Sequence, residues 1–94
     1  MPVRWLRTAL ANLEIEANYV AEDNPIAARK LVRTIFQAVN LLKKNPAIGQ
    51  AGRVAGTREL VVPGTPYIIP YRVRGGAVEI LRVFHAARKW PGKF

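Results

Sequence analysis

The chain carries one histidine, His85, and neither serine nor cysteine. A Ser–His–Asp relay has no nucleophile here. Disulfides and zinc–thiolate sites have no sulfur, and His85 has no second imidazole to share a metal with. We therefore expect no metal and no cofactor. What the residue types leave open is phosphodiester chemistry of the ribonuclease kind, which needs a general base, a general acid and cations around a pentacoordinate phosphate. His85, Arg58, Arg72 and Arg82 supply parts of that set. Glu59 and Glu79 are the only carboxylates in the expected sheet, and at most one of them shares a side with His85 in its own strand.

Charge narrows the partners. Fifteen Lys and Arg face six Asp and Glu, a formal net charge of +9 in 94 residues. Such a chain seeks nucleic acid, an acidic protein or both. Half of the residues are hydrophobic, which argues against disorder. No apolar run approaches the ~18 residues of a membrane span. The segment MPVRWLRTALANLE lacks the apolar centre of a signal peptide, so a cytoplasmic protein of one domain, residues 1–94, is expected.

The elements that must position these side chains are legible in the residue pattern. Val3-Arg4-Trp5 reads as a short strand at a sheet edge. From about Arg7 to Glu22, Leu6, Leu10, Leu13, Ala17 and Val20 recur at helical steps, with Asn12, Glu14, Glu16 and Asn18 mostly off the stripe. Asn24-Pro25 is a cap followed by a first-turn proline. It starts a second helix, with Ala28, Leu31, Val32, Ile35, Val39 and Leu42 inward, that runs to about Lys44 and stops at Asn45-Pro46. The two helices should form an antiparallel hairpin. Ala47 to Gly56 reads as a loop; its glycines lack the strand and the Lys-Ser or Lys-Thr of a phosphate cradle, but Arg53 there is a plausible contact.

Three runs follow: Thr57 to Val62, Tyr67 to Arg74 and Ala77 to His85. They are β-branched and aromatic, and are separated by Pro63-Gly64-Thr65-Pro66 and by Gly75-Gly76, a tight-hairpin signal. The expected architecture is α+β: a short N-terminal strand, a helical hairpin, then a three-stranded antiparallel meander (β-α-α-β-β-β). Tyr67, Ile69, Tyr71 and Val73 should face one way, and Ile68, Pro70, Arg72 and Arg74 the other. In the third run both parities are apolar, so its phase is undetermined. Pro70 in a middle strand lacks a donor, and a bulge or a lost ladder bond is expected there. One face should pack on the helices, leaving an open, arginine-rimmed apolar face as a docking surface.

GTRELVV (56–62), PYIIPYRV (66–73) and VEILRVFHAARKWP (78–91), in that order after NPAIGQAGR, resemble the ParE/RelE superfamily of bacterial type II toxins over nearly the whole chain, and lie nearer its ParE-like branch. The resemblance implies a small basic toxin held by a cognate ParD/RelB-like antitoxin in a hetero-oligomer. RelE-like members cleave mRNA on the ribosome; ParE-like members poison DNA gyrase. RelE-like toxins usually carry an arginine after the first aromatic of the middle strand, where this chain has Ile68. They often place Tyr or Arg just past the last strand, where this chain has Ala86. One group uses a glutamate in the loop before the meander, and residues 47–56 contain no acid. The resemblance thus implies a gyrase-directed toxin acting by binding, with the RelE-like endoribonuclease and a plain basic nucleic-acid-binding module as alternatives. The implied target surface is Arg53, Arg58, Arg72, Arg82, His85, Arg88, Lys89 and Trp90.

Overall fold

Asn24 sets the break between the helices by capping both. Its amide donates to Val20 O (2.9 Å), closing the helix α1 (Arg7–Asp23), and its Oδ1 accepts from Ala27 N (3.0 Å), opening α2 (Pro25–Asn40). These are the orphan groups that helix ends must satisfy. The second helix ends at Asn40 and tightens into a 3-10 turn, Leu41–Lys43, instead of continuing to Lys44 as an α-helix. The computed structural model describes residues 1–87, 90 and 92–94.

The inner face of α2 is as the periodicity predicts: Ala28, Ile35, Val39 and Leu42 are buried, and Leu31 and Val32 are partly so. That of α1 is rotated from the expected stripe. Ala9, Leu13 and Glu16 are buried, whereas Leu10 is 44% exposed. The rotation brings the Glu16 carboxylate inward, where Tyr67 Oη donates to it at 3.0 Å. A buried acid needs such a donor, and periodicity alone does not reveal one.

The strands are β1 (Val3–Trp5), β2 (Gln50–Ala51), β3 (Arg58–Val61), β4 (Tyr67–Arg74), β5 (Ala77–Ile80) and β6 (Phe84–His85). Their order is β1-β5-β4-β3-β2, with β6 also paired to β4. The meander β3–β4–β5 is antiparallel as expected, and the edge strand, whose direction the residue pattern left open, makes the sheet mixed: β1 runs parallel to β5, Val3 beside Val78 and Trp5 beside Ile80. Val78 N donates to Pro2 O and Leu6 N to Ile80 O, bonding that ladder at both ends. Nothing in a three-residue run, Val3-Arg4-Trp5, encodes direction. The loop expected over residues 47–56 holds the edge strand β2, too short to leave a period. Turn chemistry reads through cleanly. Gly64 has φ 75° after Pro63, and Gly75 and Gly76 have φ 60° and 73°, values suited to a two-residue hairpin.

The third run is one strand broken by a slip. Tyr71 pairs with Ile80, but Tyr67 pairs with His85, one residue more than an unbroken ladder allows. The break lies beside Pro70, as expected. Leu81 N donates to Pro70 O (3.0 Å), but Pro70 has no N–H to return to Leu81 O. Arg82 Nη1 donates to that carbonyl instead, at 2.6 Å, and the displaced amide of Val83 donates to Asn12 Oδ1 at 3.2 Å. The slip exchanges the parity of the strand: Val78 and Ile80 join the core before it, and Val83 after it. This is why both parities read as apolar.

Tyr71, fully buried, fixes the approach to β2. Its hydroxyl donates to Pro46 O (2.7 Å) and accepts from Gly49 N (2.9 Å). A Cβ at position 49 would lie 2.6 Å from that hydroxyl and 2.9 Å from Glu59 O. Gly49→Ala should therefore cost about 1–3 kcal/mol by overpacking, read as a lower urea midpoint with an unchanged slope. An unshifted midpoint would show that the loop yields freely.

Candidate functional site

The face of the sheet away from the helices carries Glu59, Pro70, Arg72, Glu79, Leu81 and Phe84. Its centre is buried: Pro70 is fully so, and Leu81 is 1% and Glu59 3% exposed. This corrects the expectation of an open apolar face. The cover comes from the chain itself. Trp90 packs on Phe84 (ring centroids 4.7 Å), Phe94 stacks on Phe84 (6.1 Å), and the Arg53 guanidinium lies 3.6 Å from the Trp90 ring centre. The alternation of a strand could not announce this second layer, because its residues come from a loop and from the chain end.

The arginines on this face are tied down in two groups. Arg53 donates to the Glu59 carboxylate through its backbone N (2.8 Å) and Nε (3.1 Å). Arg72 Nε donates to Glu79 at 2.8 Å, and Arg4 stands 3.8 Å from the same carboxylate on the neighbouring strand. The Arg72 hydrogen bond, reinforced by the charges of Arg72, Arg74 and Arg4, holds the Glu79 carboxyl below its ordinary 4.5 against the opposing effect of burial. Arg82 serves Leu81 O and lies 5.3 Å from the Phe94 ring centre.

The remaining expected site residues lie elsewhere. Arg58 pairs with Tyr71 on the helix-side parity of the sheet, and its Nη1 donates to Gly49 O at 2.8 Å. His85 pairs with Tyr67, edge-on at 5.6 Å between ring centres, and its Nδ1 accepts from Ala87 N at 3.2 Å. Arg88 and Lys89 lie outside the described residues. The geometry thus gathers Arg53, Arg82 and Trp90, leaves Arg72 in a separate group with Arg4, and places Arg58 and His85 on the opposite side. Sequence reasoning missed Arg4 and Arg74. Arg4 became visible only through the parallel pairing of β1, whereas Arg74 was placed on the right face by alternation but given no role.

Residues 3–90 match the family profile of the ParE toxin of the type II toxin–antitoxin system parDE. The chain belongs to the ParE toxin family. Among its relatives, it is 46% identical over 89 residues to the putative toxin Y4kP of Sinorhizobium fredii, covering 95% of this chain and 92% of that one. It is 38% identical over 86 residues to the toxin RelE2 of Caulobacter vibrioides, covering 92% and 96%. A solved structure of the chromosomal ParDE toxin–antitoxin system from P. aeruginosa superposes with a TM-score of 0.82 at 33% identity, covering 90% of this chain and 95% of that one. The protein is a type II toxin of ParE type, with the strand–hairpin–sheet order that the family resemblance implied.

The lowered pKa of Glu79 has a definite linkage sign. Its contribution to this toxin's stability is present above the ordinary carboxylate value and is lost as pH falls through the lower native one. Urea midpoints of the wild type and Glu79→Gln should differ at neutral pH, the wild type being higher, and should converge in acid. A gap that does not narrow as the solution is acidified below the ordinary carboxylate range would break the linkage.

Proposed function

We propose that this ParE-family toxin inhibits DNA gyrase by binding, without chemistry of its own, in the cytoplasm. The observation that carries this reading is the scatter of the groups that a ribonuclease would need. His85, the only imidazole, packs on Tyr67 on the helix-side parity, while Arg72 is bound to Glu79 on the reverse face. Arg58 serves a backbone carbonyl of the loop, and Ile68 stands where RelE-like toxins usually present an arginine to the scissile phosphate. General acid–base catalysis requires its donors within hydrogen-bond reach of one phosphate. The target surface in this reading is Arg53, Arg82 and Trp90, with Arg72, Arg58, His85, Arg88 and Lys89 as further contacts.

A second reading, a ribosome-dependent endoribonuclease acting on mRNA, is favoured by the name of the relative RelE2, 38% identical to this chain. In either case a ParD/RelB-like antitoxin neutralises the toxin. The cleft between the hairpin and the β3–β4 turn, about 500 Å³, suits an amphipathic acidic segment: Val20, Ala27, Leu31 and Pro63 line it, and Lys30 stands beside them.

Purified toxin should block supercoiling by gyrase and leave mRNA intact in a translating extract. Arg53→Ala combined with Trp90→Ala should raise the concentration needed for half-inhibition by about tenfold or more, the scale of losing one interface anchor. Cut mRNA with unaffected gyrase, abolished by His85→Ala, would replace this reading with the second.

A further inference from the structure

The acids of this toxin are distributed unevenly in a way the net charge hides. Glu16, Glu59 and Glu79 are buried, each engaged by a donor. The exposed acids are Glu14, Glu22 and Asp23, all on α1. From Asn24 onward, no described acidic side chain is exposed. The sheet surface therefore presents cations with no exposed acid among them.

One corner of that surface is organised. Arg4, Glu79 and Arg72 lie in a row across β1, β5 and β4, because Arg4 and Arg72 are both register partners of Glu79. Arg74 is two residues along on the same face, and its charge also acts on Glu79. The Arg4 side chain is 63% exposed and that of Arg72 31%, whereas that of Glu79 is only 11% exposed. Glu79 therefore holds the Arg72 guanidinium by a hydrogen bond and stands within ion-pair distance of that of Arg4, and both arginine side chains keep exposed surface.

We propose that Arg4, Arg72 and Arg74, set around Glu79, form a contact site for the phosphate backbone of duplex DNA. Guanidinium forks match phosphate geometry better than ammonium groups do, and all the cations of this corner are arginines. Of the other side chains on this face, Ala77 is buried and Pro2, beside it in the register, is small, so the corner lacks the large apolar or aromatic anchor on which protein partners rely. It also lacks an exposed aromatic on which unpaired bases would stack, which selects duplex over single strand. The site shares only Arg72 with the proposed target surface and is separate from Arg53, Arg82 and Trp90; the tested residues Arg4 and Arg74 belong to it alone, so it stands whether the toxin's protein target is gyrase or not.

Fluorescence anisotropy with a labelled duplex, titrated at several salt concentrations in the absence of gyrase, tests it. Arg4→Ala with Arg74→Ala should lower the slope of log affinity against log salt by about 1.8, the loss of two phosphate contacts. Arg4→Lys with Arg74→Lys should restore most of the slope, which a merely unfolded variant would not. Arg29→Ala with Arg33→Ala removes the same charge from α2 and should change the slope by less than half as much. Equal losses in the α2 and corner variants would overturn the site, as would tighter binding of a single strand of equal length. Supercoiling inhibition by the same variants is a separate readout, so failure of one reading leaves the other legible.

Discussion

A missing hydrogen at Pro70 shapes the sheet. An interior strand owes donors to both neighbours, and Pro70 cannot give the one owed to Leu81 O. The third run answers by slipping one residue, and Arg82 and Asn12 take up the orphaned carbonyl and amide. The slip then decides what each face contains. Without it, Phe84 would share the side of Val78 and Ile80 and point into the helices, and Val83 would lie on the reverse. With it, Val83 enters the core, His85 meets Tyr67, and Phe84 becomes the platform for Trp90 and Phe94.

That rearrangement alters what the arginines can do. A solvated arginine is free to meet a partner; one holding a backbone carbonyl or a carboxylate is already committed. Arg82 is committed to the slip, Arg53 to Glu59 and Arg58 to Gly49 O. Each keeps unused donors, since a guanidinium carries five. A partner at these positions therefore meets charges held in fixed directions. Less side-chain freedom is lost on binding, which is the usual source of affinity in a preorganised surface. Trp90 fits this arrangement. Its indole Nε1 is buried and has no hydrogen-bond partner among the described residues, so an acceptor brought by a partner would find a donor there.

The sequence made the skeleton legible because its signals were local. Asn24-Pro25, Gly75-Gly76 and the inner stripe of α2 each act within a few residues, and each appears where expected. Even the trouble at Pro70 was visible, since a proline's missing donor is a covalent fact. What was hidden depended on partners distant in the chain. Glu16 turned inward because Tyr67, 51 residues away, offered a hydroxyl. Arg4 joined Arg72 because β1 chose a parallel partner. The reverse face closed because Arg53 and Trp90 came together over it. Helical or strand periodicity averages over such contacts and cannot register them.

Burying acids strengthens the field of a basic surface. An exposed carboxylate among the sheet arginines would offset them at every distance, and one exposed on α1 does so only from another side of the molecule, where salt screens it beyond about 8–10 Å. Glu59 and Glu79, sunk beneath the guanidiniums that hold them, neutralise one charge apiece while fixing its direction. Among the described residues, the exposed side-chain charge that remains from Asn24 onward is positive. For a chain of this size, electrostatic attraction to a polyanion then follows from placement as much as from the count of +9. Two molecules with the same composition, one with its acids on the sheet and one with them on α1, would differ in whether they capture such a partner at all.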